Sequence, residues 1–155
     1  MPYIQVTLQS GDFTPQAIDA LAAAITKAAG DAEQIPDDPA HRASTLVQVL
    51  EVPRGRLYSA GSSAAAEAAR FVAIHVLSPD GVLDHPHRAA LFRALDAAAK
   101  EAGGQGPRAE APVLTSIVNT EVDHGRWGIF GHVSWLSDLA TRAGYAHLAP
   151  LFAKR

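Results

Sequence analysis

The pattern of apolar positions opens with a strand. Residues 3 to 8 alternate Tyr, Ile, Gln, Val, Thr and Leu, so Ile4, Val6 and Leu8 share one face almost at the amino terminus. After the turn residues Ser10, Gly11 and Asp12, Thr14-Pro15 offers a capping hydroxyl followed by a proline, whose missing N–H costs nothing at the first helical position. Ile18, Leu21 and Ile25 then recur at helical spacing in an alanine-rich stretch, and Gly30 offers a stop. The polar, proline-containing segment 31–44 reads as a connection. Thr45 to Val52, TLVQVLEV, predicts a strand covered on much of both faces, and Arg54-Gly55-Arg56 a tight turn or short hairpin.

The same order then returns. Phe71 to Leu77 predicts a strand, Ser78 to Gly81 a turn, and Asp84 to Gly103 a capped helix with Leu91, Leu95 and Ala98 on one stripe. A glycine- and proline-rich loop, Gly103 to Pro112, leads to a further strand from Val113 to Asn119. Leu21 and Leu91 stand 70 positions apart, and so do Glu51 and Glu121. The expected fold class is therefore α+β. Two tandem β-α-β units, repeat 1 over about 2–61 and repeat 2 over about 70–131, form one domain spanning 1–155. Ser62 to Arg70, SSAAAEAAR, links them and suits a short helix. Glycines 125, 128 and 131 around Trp127, Ile129 and Phe130 suit a hairpin, and a C-terminal helical tail is expected over 134–155.

Composition narrows the chemistry. At 155 residues, 48% hydrophobic and 19% charged, the chain can close one ordinary core. A net charge of −3 supplies no basic field for a phosphate backbone, so no nucleic-acid partner is expected. The lack of cysteine excludes disulfides, thiolate catalysis and cysteine metal sites. The start MPYIQVTLQSGDF has neither the basic opening nor the apolar run of a signal peptide, and no stretch approaches membrane-spanning length. A cytoplasmic protein without a membrane partner is the expectation. Asp84-His85-Pro86-His87 opens a helix without a matching second cluster, so no metal site is assigned. The hairpin glycines lack a dinucleotide fingerprint, and the serines lack a nucleophile elbow.

The candidate for chemistry is Pro2. Removal of Met1 would leave a secondary amine at the head of a strand, rigidly aimed by its ring. The reference pKa of an α-amino group is about 8, and an apolar setting lowers it toward neutrality, where a base can both take and return a proton. If Met1 stays, the nitrogen is an amide and has no basicity. His75, mid-strand between Ile74 and Val76, reads as a core or pocket-lining histidine that could help shuttle protons.

These features carry a family resemblance. PYIQVTLQSGDFTPQAIDALAAAITKAAG followed by TLVQVLEVPRGRLYSAG resembles the proline-initiated strand, helix, second strand and glycine-ended hairpin of 4-oxalocrotonate tautomerase, in the tautomerase superfamily. FVAIHVLSPDG through SIVNTEVDHGRWGIFG is similar to the same unit, with Arg70 standing where the proline would repeat. The double-length layout resembles malonate semialdehyde decarboxylase and cis-3-chloroacrylic acid dehalogenase. It implies a four-stranded sheet backed by two helices, a homotrimer, a small-molecule substrate and no cofactor. It also implies Pro2 as general base, Trp127 as an aromatic wall and Glu121 as a site carboxylate, although Glu121 reads equally well as a structural strand-end carboxylate. The family's arginines are missing from their places. Gly11 and Asp12 follow the first strand, Leu46 occupies the second, Ser78-Pro79-Asp80-Gly81-Val82 carries no base, and Ala29 replaces the dehalogenase's histidine. Substrate anchors must then come from Arg126 foremost, or from Arg54 and Arg56, although each of the three taken singly reads better as a solvated hairpin charge. The expected function is keto–enol tautomerisation of a small enol or 2-oxo acid. The alternatives are a catalytically silent binding protein on the same scaffold and a hydratase-like enzyme acting on an unsaturated acid.

Overall fold

The computed structural model describes residues 2–148; Met1 and the last part of the expected tail, 149–155, lie outside the described residues. Strand β1 (Tyr3–Gln9) leads through a turn into helix α1 (Pro15–Ala32), followed by a short helix α2 (Pro39–Arg42) and strand β2 (Leu46–Val52). A one-turn helix α3 (Ser63–Ala66) lies in the linker. The second unit is strand β3 (Arg70–Pro79), helix α4 (His85–Gly104) and strand β4 (Val113–Val122). A hairpin of β5 (Trp127–Ile129) and β6 (His132–Ser134), helix α5 (Leu136–Ala143) and a 3-10 turn (Ala146–Leu148) complete the described chain.

The four long strands form one mixed sheet in the order β2-β1-β3-β4. β1 pairs parallel with β2 and antiparallel with β3, and β3 pairs parallel with β4. The two units therefore run head to tail across the β1–β3 seam. Alternation decides the core: Ile4, Val6 and Leu8 of β1 and Val72, Ile74 and Val76 of β3 are buried against Leu21, Ile25, Leu91 and Leu95 of the two long helices. Both helices start on side-chain caps. Thr14 Oγ1 accepts from Ala17 N at 3.1 Å and Asp84 Oδ1 accepts from His87 N at 2.9 Å, with a proline in each first turn.

The 70-residue offset extends to the backbone. Gly55 and Gly125 both take left-handed φ, as do the hairpin tips Ala60-Gly61 (48° and 77°) and Phe130-Gly131 (52° and 79°). Two consecutive left-handed residues are what a tight two-residue hairpin of twisted strands requires. The same offset pairs Pro2 with Val72 rather than with Arg70, because β3 begins three residues earlier than its counterpart.

Two other expectations change. Gly30 does not stop α1, which runs on to Ala32; a Cβ there would lie 2.0 Å from Arg42 Nη1, so this glycine admits an arginine across the helix. β2 is not covered on both faces: it is an edge strand, with Leu46 59% and Leu50 40% exposed. The sheet face turned away from the helices is bare. It presents Leu46, Leu50, Leu114 and Val118 beside Gln5, Gln48 and His75. Among the described residues no helix is long and apolar enough to cross a membrane.

Candidate active site

A β-α-β crossover returns the chain to the end at which it started, so the last residues of α1 lie over the start of β1. Pro2 is buried there, and its carbonyl accepts from Leu46 N at 3.1 Å as β2 begins. Continuing the register by one residue sets Pro2 between Thr45 and Ser78, and Ser78 pairs with Glu121. Alternation turns this row toward the helices.

The row continues into a polar chain. Asn119 Nδ2 donates to Ser78 Oγ at 3.0 Å, Arg88 Nε donates to Asn119 Oδ1 at 3.1 Å, and Arg88 Nη2 donates to Glu121 Oε1 at 2.6 Å. On the other side of Pro2's strand, Glu33 caps α1 and is only 1% exposed. The Tyr145 hydroxyl, itself buried, donates to Glu33 Oε2. Burial pushes the Glu33 carboxyl up to about 7. The tail is seated on this end of the sheet. Leu136, Ala140, Ala143, Tyr145 and Leu148 pack with Ile35 and Val82, and a Cβ at Gly144 would lie 2.6 Å from His41 Cδ2.

Unmet hydrogen-bonding capacity concentrates at the same end. Ser44 Oγ, Thr45 Oγ1, Arg42 Nε and both ring nitrogens of His147 are buried without a hydrogen-bond partner among the described residues. Such groups are uncommon in native interiors and cost free energy, which a polar ligand can recover.

The residues expected from the sequence are distributed unevenly. Glu121 lies in the Pro2 row and is tied to Arg88. Trp127 lies nearby, lining a small hollow with Pro79, Asp80, Val122 and Leu139. Arg126 pairs with Asp123 at 3.2 Å, both largely exposed. His75 is on the bare face, where its Nε2 meets Thr120 Oγ1 at 2.9 Å, one sheet thickness away from the row containing Pro2. Arg54 stands just past β2, at the opposite end of strands that rise by roughly 20 Å in seven residues, where it holds Asp12 at 2.8 Å and Glu67. Arg56 follows in the same turn. Three residues at the Pro2 end, Glu33, Arg88 and Tyr145, carry no signal in the sequence pattern. Asp84 as cap places Arg88 one helical turn in, which could have pointed to it. Among the described residues no cluster of three or more metal-ligating side chains is formed.

No family model matches the chain, and no curated protein matches it by sequence. Solved structures match over most of its length. A wild-type fused 4-OT, determined as a symmetric trimer, is 22% identical with a TM-score of 0.66, covering 92% of this chain and 98% of that one. Pt0534 inactivated by 2-oxo-3-pentynoate is 19% identical with a TM-score of 0.65, covering 90% and 98%. N1, a member of the cis-3-chloroacrylic acid dehalogenase family, is 16% identical with a TM-score of 0.64, covering 84% and 82%. The chain has the fold of the tautomerase superfamily.

Proposed function

We propose that this chain is a cofactor-free tautomerase that moves a proton on a small enol or 2-oxo acid, with the free amine of Pro2 as base and acid. The observation that carries the proposal is the burial of Pro2 at the head of a sheet strand, beside the polar row Thr45, Ser78 and Glu121, on a fold shared with tautomerases. Burial disfavours the ammonium form and brings the amine toward neutrality. Arg88, held between Glu121 and Asn119, offers a guanidinium at this end that the family's usual positions do not. Glu121 acts through Arg88, and Trp127 closes the side toward the hairpin. We further propose a homotrimer built on the bare sheet face. Leu46, Leu114 and Val118 would otherwise stay in water, and the fused 4-OT neighbour is a trimer. Arg126, Arg54 and His75 then belong to the site only where one subunit meets the next.

One observation favours a second reading, a catalytically silent binding protein. The grooves of about 350 and 250 Å³ lie on the bare face, lined by Tyr58, Phe71 and Leu114 and by Gln5, His75 and Val118, and Pro2 lines neither. The tail is also seated over Pro2's end.

The test starts from intact mass, with loss of Met1 expected, and from sedimentation at three times the chain mass. Processed wild type and Pro2→Ala are then compared on phenylpyruvate and 2-hydroxymuconate. A loss of about 100-fold or more in kcat/KM is expected for the variant. Loss of wild-type activity on treatment with 2-oxo-3-pentynoate, with the label on Pro2, would agree. Equal rates for the two proteins would leave only the binding reading.

A further inference from the structure

The two-unit layout needs neither a carboxyl at the end of α1 nor a tyrosine beyond α5, yet the structure buries both and joins them at the end of the sheet where Pro2 begins. Glu33 is 1% and Tyr145 2% exposed, and the contact spans 112 positions of sequence. A buried acid is costly unless something offsets it. At the matching place in the second unit, 70 positions on, stands Gly103, which has no side chain to ionise. The acid is thus specific to the unit that starts with proline.

We propose that the Glu33 carboxyl, gripped by Tyr145, shares the proton of the Pro2 amine and thereby sets the pH at which that amine is a free base. The proposal rests on the reading of Pro2 as the working base. In the proton-transfer step the amine takes a proton from a substrate carbon, the C–H electron pair passes into the enolate, and the new ammonium is stabilised by the carboxyl; return of the proton to another substrate atom restores the amine. Glu33 does not touch the substrate and is a positioning residue. The resting pair is a carboxylate beside a neutral amine, and it becomes an ion pair in a water-poor setting when the amine takes the substrate's proton. The tail is then part of the site, because Tyr145 holds the carboxyl from beyond both units. The other titratable and charged groups at this end are His147, edge-on to the Tyr145 ring at 5.8 Å, His41 with Asp38 beneath Gly144, Arg42 with Asp31 and Asp37, and the Arg88–Glu121 pair from α4 and β4.

The experiment is an NMR titration of Pro2, isotopically labelled, in mass-verified chain lacking Met1, for wild type, Glu33→Gln, Glu33→Asp and Tyr145→Phe, each checked for folding by circular dichroism. Removing the carboxylate takes away the ammonium's counter-charge, so Glu33→Gln is expected to lower the Pro2 protonation constant tenfold or more. Tyr145→Phe should shift it the same way by less, and Glu33→Asp should restore part of it. The acid limb of kcat/KM should move with the titration. A Pro2 curve unchanged in folded Glu33→Gln and Tyr145→Phe overturns the proposal, and so does a chain that retains Met1. A Pro2→Ala variant as active as wild type sinks the base reading alone, since the titration needs no substrate.

Discussion

The two units bury the start of a strand in opposite ways, and the contrast separates a support from a candidate site. At one end of the sheet, Arg70 opens β3 at 2% exposure, and its guanidinium is saturated by backbone carbonyls: Gly103, Ala109 at 3.4 Å and Ala111 at 2.7 and 3.1 Å, with the Phe13 ring 5.7 Å away. Each of the three guanidinium nitrogens has a fixed carbonyl acceptor. At the other end, Pro2 leads into β1 at the same end as a carboxyl that burial pushes up to about 7, among hydroxyls and an imidazole that have no hydrogen-bond partner among the described residues. A finished hydrogen-bond set makes a strut. An unfinished one makes a candidate site.

Replacing the strut should have the largest effect on stability. Arg70→Met leaves the Ala111 carbonyl without its guanidinium donors and the Gly103 carbonyl with only backbone N–H donors such as that of Gly106, and about 3–5 kcal/mol should be lost in urea unfolding, since charge-assisted hydrogen bonds contribute roughly 1.5–3 kcal/mol each and do not add fully. A loss under about 1 kcal/mol would mean the arginine is not the tie it resembles.

Glu33 should behave in the opposite sense. Its folded value is raised from the ordinary 4.5 to about 7, so the folded chain binds this proton more tightly than the unfolded chain. Stability from this group is complete below about pH 4.5, falls as pH rises through the window from 4.5 to 7, and stays reduced above it. Glu33→Gln, which keeps an acceptor for Tyr145, should therefore gain stability at pH 8, on the order of 3 kcal/mol, and gain none at pH 4. Thermal melts of both proteins across that range check the sign. A variant less stable than wild type at pH 8 would contradict the burial cost.

The smallest effect is expected at Gly103. A Cβ there would lie 2.5 Å from Val113 Cγ2 and 3.2 Å from both terminal nitrogens of Arg70. Gly103→Ala should cost about 1–3 kcal/mol through overpacking, read from the same unfolding curves and additive with substitutions at the Pro2 end. If it also changed turnover, the two ends would be coupled and the contrast between them would fail.

The sequence by itself determined the units. Alternation in β1 and β3, helical spacing in α1 and α4, the Thr14 and Asp84 caps and the 70-residue offset are all local, because each side chain's face follows from its position in its own element. The placing of Pro2 at a strand head was legible for the same reason. What only the tertiary structure decided is which distant elements cover that residue. Tyr145 reaches Glu33 across 112 positions and Arg88 reaches Glu121 across 33, while Arg54, one short turn past a strand paired with Pro2's own, is carried to the far end. Periodicity records the direction in which a residue points. It holds no record of what will be packed there, since that depends on the crossing of strands and helices whose contacts form only when the whole sheet closes.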